Sequence, residues 1–383
     1  MTLAISRRMD SICQSEIRGM TLECTRLKGL NLARGVCNTG VPPVVVEGVR
    51  KAMEDGFNTY TRYDGLPVLR EAIADKMQRD NRMSVDPEQE VIVSAGSTGA
   101  FYCTCMALLD PGDEVILFEP YYGYHVNIIR TAGSVPRYVP MQPPGWTFTA
   151  ADLEKAVTPR TKAIVVCTPG NPSGKVYSEP ELRIIAECAV QHDLFVFTDE
   201  IYEYFLYDGR RHISPATLPG MAERTITISG YSKTFSITGW RIGYAVCALK
   251  WARMIGYAND LVYVCAPAPL QMGVAAGIRE LDAAFYHDLQ AEFDRKRDWL
   301  CNALISAGLP PHVPQGAYYV LADASRLRGR TSREKAVNLL KETGVAGVPG
   351  SAFYHDGGGE NLIRFCYAKP DEELIEACRR LRG

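Results

Sequence analysis

Between about residues 90 and 250, short β-branched runs alternate with longer amphipathic stretches, and that alternation leaves few folds open. Strands separated by helix-length segments pair in parallel, and the connecting helices cover the sheet. The predicted strands are Glu90–Ser94, Glu114–Phe118, Ala163–Cys167, Leu194–Thr198, Thr225–Ile228 and Tyr244–Cys247. Ser178-Glu-Pro-Glu181 offers an N-cap, a first-turn proline and a capping-box glutamate, opening a helix that turns Leu182, Ile185 and Cys188 towards the sheet. Pro143-Pro144-Gly145 breaks the pattern ahead of another helix start at Thr149. From about Asp282 to Ala307 an amphipathic stretch runs without a breaker, as a helix bridging into a second unit would. Beyond it the pattern shortens to α+β. Residues Ala317–Ala322 read as a strand, Thr331-Ser-Arg-Glu334 caps a helix closed at Gly344, Asn361–Tyr367 reads as a strand, and a last helix starts near Asp371. With 383 residues, two domains are the natural expectation. Residues 45–282 form the large α/β domain, and residues 1–44 and 283–383 join as the smaller α+β domain.

Composition narrows the function. The net charge is -2 with no basic run, which argues against nucleic acid and anionic membrane as partners. No stretch approaches the roughly 20 apolar residues of a membrane helix. Residues 1–20 are mixed polar with no apolar core, so no signal peptide is expected. The twelve cysteines are scattered singly and the six histidines fall into no metal-ligand spacing with them. Reduced thiols in the cytoplasm, and no metal, are the expectation.

In open α/β sheets ligands collect beyond the carboxyl ends of the strands. Here those ends carry chemistry. Ala95-Gly-Ser97-Thr98-Gly99 leads from a strand into a helix, so amides and two hydroxyls can cradle a phosphate. Glu119-Pro-Tyr-Tyr122 offers an aromatic face for stacking, and Thr168-Pro-Gly-Asn171-Pro-Ser-Gly174 an amide donor. Asp199-Glu-Ile-Tyr202 places a carboxylate at a strand terminus, costly to bury unless paired, with a phenol three residues on. Each is also an ordinary βα connection taken alone; their convergence is the signal.

The segment Ser229-Gly-Tyr-Ser-Lys233-Thr-Phe-Ser-Ile-Thr-Gly-Trp-Arg241-Ile-Gly-Tyr244 completes the set. A lysine just past a strand, with Ser232 beside it and an arginine eight residues on, suits an amine carrying a phosphorylated aldehyde: the amine forms a Schiff base and the guanidinium pairs with the phosphate. Together these motifs closely resemble the class I/II pyridoxal-phosphate aminotransferases, in the prokaryotic aspartate-aminotransferase-like branch of fold-type I. The resemblance runs from about Gly29 to Arg382.

The resemblance implies an α/β fold with a mostly parallel seven-stranded sheet in the large domain and a small α+β domain built from both termini. It implies pyridoxal 5'-phosphate as cofactor and a homodimer with shared active sites. By position, Lys233 matches the Schiff-base lysine and Asp199 the partner of the ring nitrogen; Asn171 and Tyr202 match the ring-oxygen partners and Tyr122 the stacking aromatic. Ser97, Thr98, Ser232 and Arg241 fall near the phosphate, and Tyr60, in Asn58-Thr-Tyr60-Thr-Arg-Tyr, matches the tyrosine that reaches the neighbouring subunit's phosphate. Arg364, in Asn361-Leu-Ile-Arg364, matches the clamp on the substrate α-carboxylate, with the Gly35 backbone beside it. Cis bonds are expected before Pro120 and Pro172. Two positions depart from the family pattern: Gly230 stands where some members carry serine, and Arg34 where a small or apolar residue is usual. Arg34, with Arg62 as a second candidate, therefore points to an acidic substrate such as aspartate or glutamate; pairing of Arg34 with an acid such as Asp64 is the plainer alternative. The implied activity is transfer of an α-amino group to a 2-oxo acid by a ping-pong mechanism. The same residues also serve lyases or cyclases acting by β- or γ-elimination, and the fold occurs as a non-catalytic effector-binding domain behind a DNA-binding module.

Overall fold

Seven strands form the central sheet: β1 (Val91–Ala95), β2 (Glu114–Glu119), β3 (Val135–Pro140), β4 (Thr161–Cys167), β5 (Phe195–Asp199), β6 (Thr225–Gly230) and β7 (Ile242–Val246), in the order β1-β7-β6-β5-β4-β2-β3. This is a computed structural model, and it describes residues 1–383 apart from Met1, Thr2, Ala4, Arg7, Arg8, Ser11, Cys13 and Asn38. The N-terminal stretch expected to lack a leader therefore lies partly outside the described residues. Strands β3, β2, β4, β5 and β6 run parallel, whereas β7 is antiparallel to both of its neighbours, β6 and β1. Every residue of β2, β6 and β7 is buried, as expected where helices cover both faces of a sheet.

The predicted strands fall within a residue or two of their observed bounds. The exception is β3, which no β-branched run announces. Val135-Pro-Arg-Tyr-Val-Pro140 carries two prolines and survives as a strand because it lies at the sheet edge, where the missing N–H groups cost no ladder bond. Local signals set the helix starts. The Ser178 amide and hydroxyl both donate to Glu181 Oε2, at 2.9 and 2.8 Å. Thr149 and Asp152 form a second capping box, and Asp282 accepts from the amides of Ala284 and Phe285. The helix Ala283–Ser306 that follows is 24 residues long, about 36 Å, and leads away from the large sheet.

A second, antiparallel sheet combines β8 (Pro311–His312), β9 (Tyr319–Asp323), β10 (Val348–Pro349) and β11 (Leu362–Cys366) in the order β10-β11-β9-β8. The short strand Leu30–Asn31 pairs in parallel with Val345–Ala346, tying the N-terminal region to the C-terminal one. Among the described residues four peptide bonds are cis: those before Pro120 and Pro172, as expected, and also those before Pro144 and Pro169. The eleven described cysteines are all free. No helix among the described residues is long and apolar enough to cross a membrane.

Candidate active site

The carboxyl ends of the central strands open on one cavity of about 590 Å³. Ser97, Thr98, Tyr122, Asn171, Asp199, Tyr202, Ser232, Lys233, Arg241 and Arg364 all line it, as do Gly35 and Arg34. Tyr60 does not; it is 82% exposed. Among the described residues, five cationic side chains, Arg18, Arg34, Lys233, Arg241 and Arg364, line the cavity with a single carboxylate, Asp199, so the cavity is built for anions.

One end holds Arg241. It sits at a positive φ of 57° just before β7, and its Nη1 donates to the Thr238 carbonyl at 2.9 Å. Glycines let it approach the helix Gly96–Leu108: a Cβ on Gly96 would lie 2.3 Å from Arg241 Nη2, and one on Gly243 would lie 2.3 Å from the Ser97 amide. The guanidinium, the first-turn amides and the hydroxyls of Ser97 and Thr98 thus gather where a phosphate would be held.

Asp199 closes β5. Its Oδ2 meets His125 Nε2 at 3.0 Å and its Oδ1 accepts from the Ile201 amide at 3.3 Å. The His125 ring packs 4.5 Å from Phe101 and edge-on to Tyr122, so the carboxylate is held from behind by an imidazole that the fold itself immobilises. Burial pushes the Tyr122 phenol far above its usual range and keeps it neutral. Lys233, partly exposed to the cavity, donates to the Gly35 carbonyl at 3.4 Å. Desolvation draws its amine below the usual lysine range; the nearby Cys366, Cys37 and Asp199 oppose that shift, and Arg241 adds to it.

Arg364 lies fully buried on β11. Nη1 donates to Asn171 Oδ1 at 2.9 Å and Nη2 to the Ala33 carbonyl at 2.6 Å, while Nε has no partner. No carboxylate among the described residues pairs with it. Its guanidinium lies 4.4 Å from the Tyr319 ring and 5.2 Å from that of Phe353, which partly offsets the desolvation. A buried cation without a counter-charge is costly unless a ligand supplies one. Asn171, having committed its oxygen to Arg364, keeps its amide nitrogen as a donor.

Among the lining residues that the sequence did not single out, three bear on the polar contacts of the site. His125 carried one signal, its place three residues after Tyr122, the residue that precedes its helix. Tyr319 carried none: its hydroxyl meets that of Tyr202 at 2.9 Å, and a Cβ on Gly35 would fall 2.1 Å from it. Arg18 lines the cavity from the helix Glu16–Arg26. Arg62, by contrast, is committed elsewhere, to Asp64 at 2.6 Å and Glu88 at 2.9 Å.

The arrangement fits a phosphorylated aromatic aldehyde with an anionic substrate beside it: a glycine-opened phosphate cradle, a carboxylate, an amine and an unpaired guanidinium share one cavity. Residues 28–381 match the family described as Aminotransferase class I and II. An aspartate aminotransferase of Pyrococcus abyssi is 36% identical, over 99% of this chain and 97% of its own length. Kynurenine–oxoglutarate transaminase 3 of Mus musculus is 34% identical, over 91% of this chain and 83% of its own. The solved structure of N-succinyldiaminopimelate aminotransferase from Mycobacterium tuberculosis superposes with a TM-score of 0.95 at 36% identity, covering 99% of each chain.

Proposed function

The chain belongs to the class I and II aminotransferases, pyridoxal-phosphate-dependent enzymes of fold-type I that move amino groups, and on that premise we propose how its own side chains divide the work. Bound pyridoxal phosphate supplies an aldehyde that takes up the amino group and a protonated ring that draws electrons from the substrate α-carbon.

Arg241, the hydroxyls of Ser97, Thr98 and Ser232, and the first amides of helix Gly96–Leu108 hold the phosphate. Asp199, steadied by His125, keeps the ring nitrogen protonated. Tyr122 covers the ring. The Asn171 amide nitrogen and the Tyr202 hydroxyl donate to the ring oxygen, Tyr202 accepting in turn from Tyr319 across their 2.9 Å contact. Arg364 grips the substrate α-carboxylate beside Gly35. Lys233 Nζ would take up the α-proton; its lowered pKa enlarges the free-base fraction at neutral pH. The observation that carries this reading is the fully buried Arg364, unpaired with any described carboxylate, in the same cavity as Lys233.

Tyr60 at 82% exposure, Leu261 at 88% and Val262 at 51% present apolar side chains to solvent in the single chain. We assign this surface to a homodimer in which Tyr60 reaches the phosphate of the second copy. We further assign an acidic substrate, such as aspartate or glutamate, and a cytoplasmic location.

Borohydride reduction of the yellow holoenzyme followed by peptide mapping tests the central assignment. The cofactor should be fixed on Lys233. An adduct on Lys175 or Lys250 would overturn it. Lys233→Ala should bind cofactor through the phosphate cradle yet transfer no amino group from any amino acid.

A further inference from the structure

The charge balance of the cavity is not closed by the groups assigned so far. Arg241 answers a phosphate and Arg364 an α-carboxylate. That leaves Arg18 and Arg34 on the cavity wall, both exposed, and neither forms an ion pair among the described residues. Asp64, the acid that could have claimed Arg34, is taken by Arg62 and Arg70.

The backbone explains why Arg34 faces the substrate. Asn31 Oδ1 accepts from the amides of Ala33 and Arg34, at 3.0 and 3.1 Å, fixing a turn. Within it the Ala33 carbonyl holds Arg364 and the Gly35 carbonyl holds Lys233. Arg34 therefore stands between the carboxylate clamp and the reacting amine. Arg18 comes from a different element. The helix Glu16–Arg26 buries Met20 and Cys24 and turns Ile17, Arg18, Thr21 and Leu22 to the cavity. An ion pair between Glu16 and Arg333 ties its first turn down.

We infer that Arg18 and Arg34 form a second anion subsite, which takes the distal acidic group of a dicarboxylic amino acid or its 2-oxo acid. The inference rests on the amino-transfer reading above and deepens it: Arg364 holds one end of the substrate, and these two hold the other. The apolar Ile17 and Leu22 beside Arg18 line the path of the intervening methylenes.

Glutamate and glutamine differ in charge and hardly in size, so their kcat/KM ratio on the holoenzyme, with pyruvate as acceptor, reads the subsite directly. Arg18→Ala and Arg34→Ala should each lower that ratio roughly ten-fold or more, as loss of a bond to a charged group implies. Arg62→Ala should leave it at the wild-type value. Because the two arginines are exposed, the wild-type ratio should also fall as salt is raised. A second arm needs no turnover: calorimetry on the holoenzyme should show glutarate binding more tightly than pentanoate, and the Arg18→Ala/Arg34→Ala double variant should lose that preference. A wild-type preference for glutamine, or a preference for glutamate and glutarate that survives in the double variant, overturns the subsite. If no amino acid is turned over but the double variant still loses glutarate, the amino-transfer reading fails and the subsite stands.

Discussion

Gly35→Ala is the smallest change that tests how the carboxylate clamp is held. A Cβ at this position would lie 2.1 Å from the Tyr319 hydroxyl oxygen and 2.8 and 2.9 Å from two ring carbons. Tyr319 is itself buried, 2% exposed, so it must move against its packing to give way. Overpacking of this kind costs about 1–3 kcal/mol. Whatever movement relieves it disturbs the 2.9 Å bond to Tyr202 and the 4.4 Å contact with Arg364, worth about 0.5–1.5 and about 0.5–2 kcal/mol. Both act on the site, so kcat/KM should fall by roughly 5-fold to 400-fold for every amino-acid substrate. A double-mutant cycle with Tyr319→Ala isolates the cause. Tyr319→Ala is harmful by itself, but it removes every atom Gly35→Ala would strike, so the second substitution should then add less than ~0.5 kcal/mol. Strictly additive losses, or a Gly35→Ala enzyme within three-fold of wild type, would refute the steric reasoning.

Two further outcomes follow from the same cavity. Asp199→Asn should keep the fold and slow α-proton removal on the order of 100–1,000-fold, because an amide cannot hold the ring nitrogen protonated, whereas Asp199→Glu should be milder; single-turnover spectra with an amino acid read both. In the cofactor-free protein the Lys233 pKa is lowered below 10.5, so between the folded value and 10.5 the unfolded chain binds the extra proton and stability rises with pH. Lys233→Met should therefore raise the melting temperature of the cofactor-free protein at neutral pH, with a gain that fades as pH passes 10.5; a pH-independent difference would contradict the sign.

Much of this was legible in the chain because the strand-end residues do two jobs in sequence. Asp199, Asn171, Tyr122 and Lys233 each stand within five residues of the end of an apolar run, so the run that predicts the strand also points to the side chains near its carboxyl end. Arg18, His125 and Tyr319 lacked that advantage. Arg18 and His125 sit on helices, where facing the cavity depends on how the helix packs, and Tyr319 lies on a strand of the smaller sheet, which reaches the cavity only through tertiary contact. Arg62 misled for the converse reason. Its neighbours in sequence suggested a site, but Glu88, twenty-six residues on, pairs with it. Strand β3 was hidden by its prolines, since edge position is a property of the sheet and not of the segment.

The bond from Arg364 to the Ala33 carbonyl joins residues 331 positions apart. A chain is made from its N-terminus at roughly 5–20 residues per second, so Ala33 waits on the order of 15–65 s before its partner has been synthesised. The large sheet, complete at Val246, has every strand available long before that. The residues proposed for the phosphate cradle and the reactive lysine are thus synthesised before the proposed clamp, Arg364. Long-range closure of this kind is slow and comes late, so an unfinished or C-terminally clipped chain would lack the arginine proposed to grip the substrate carboxylate.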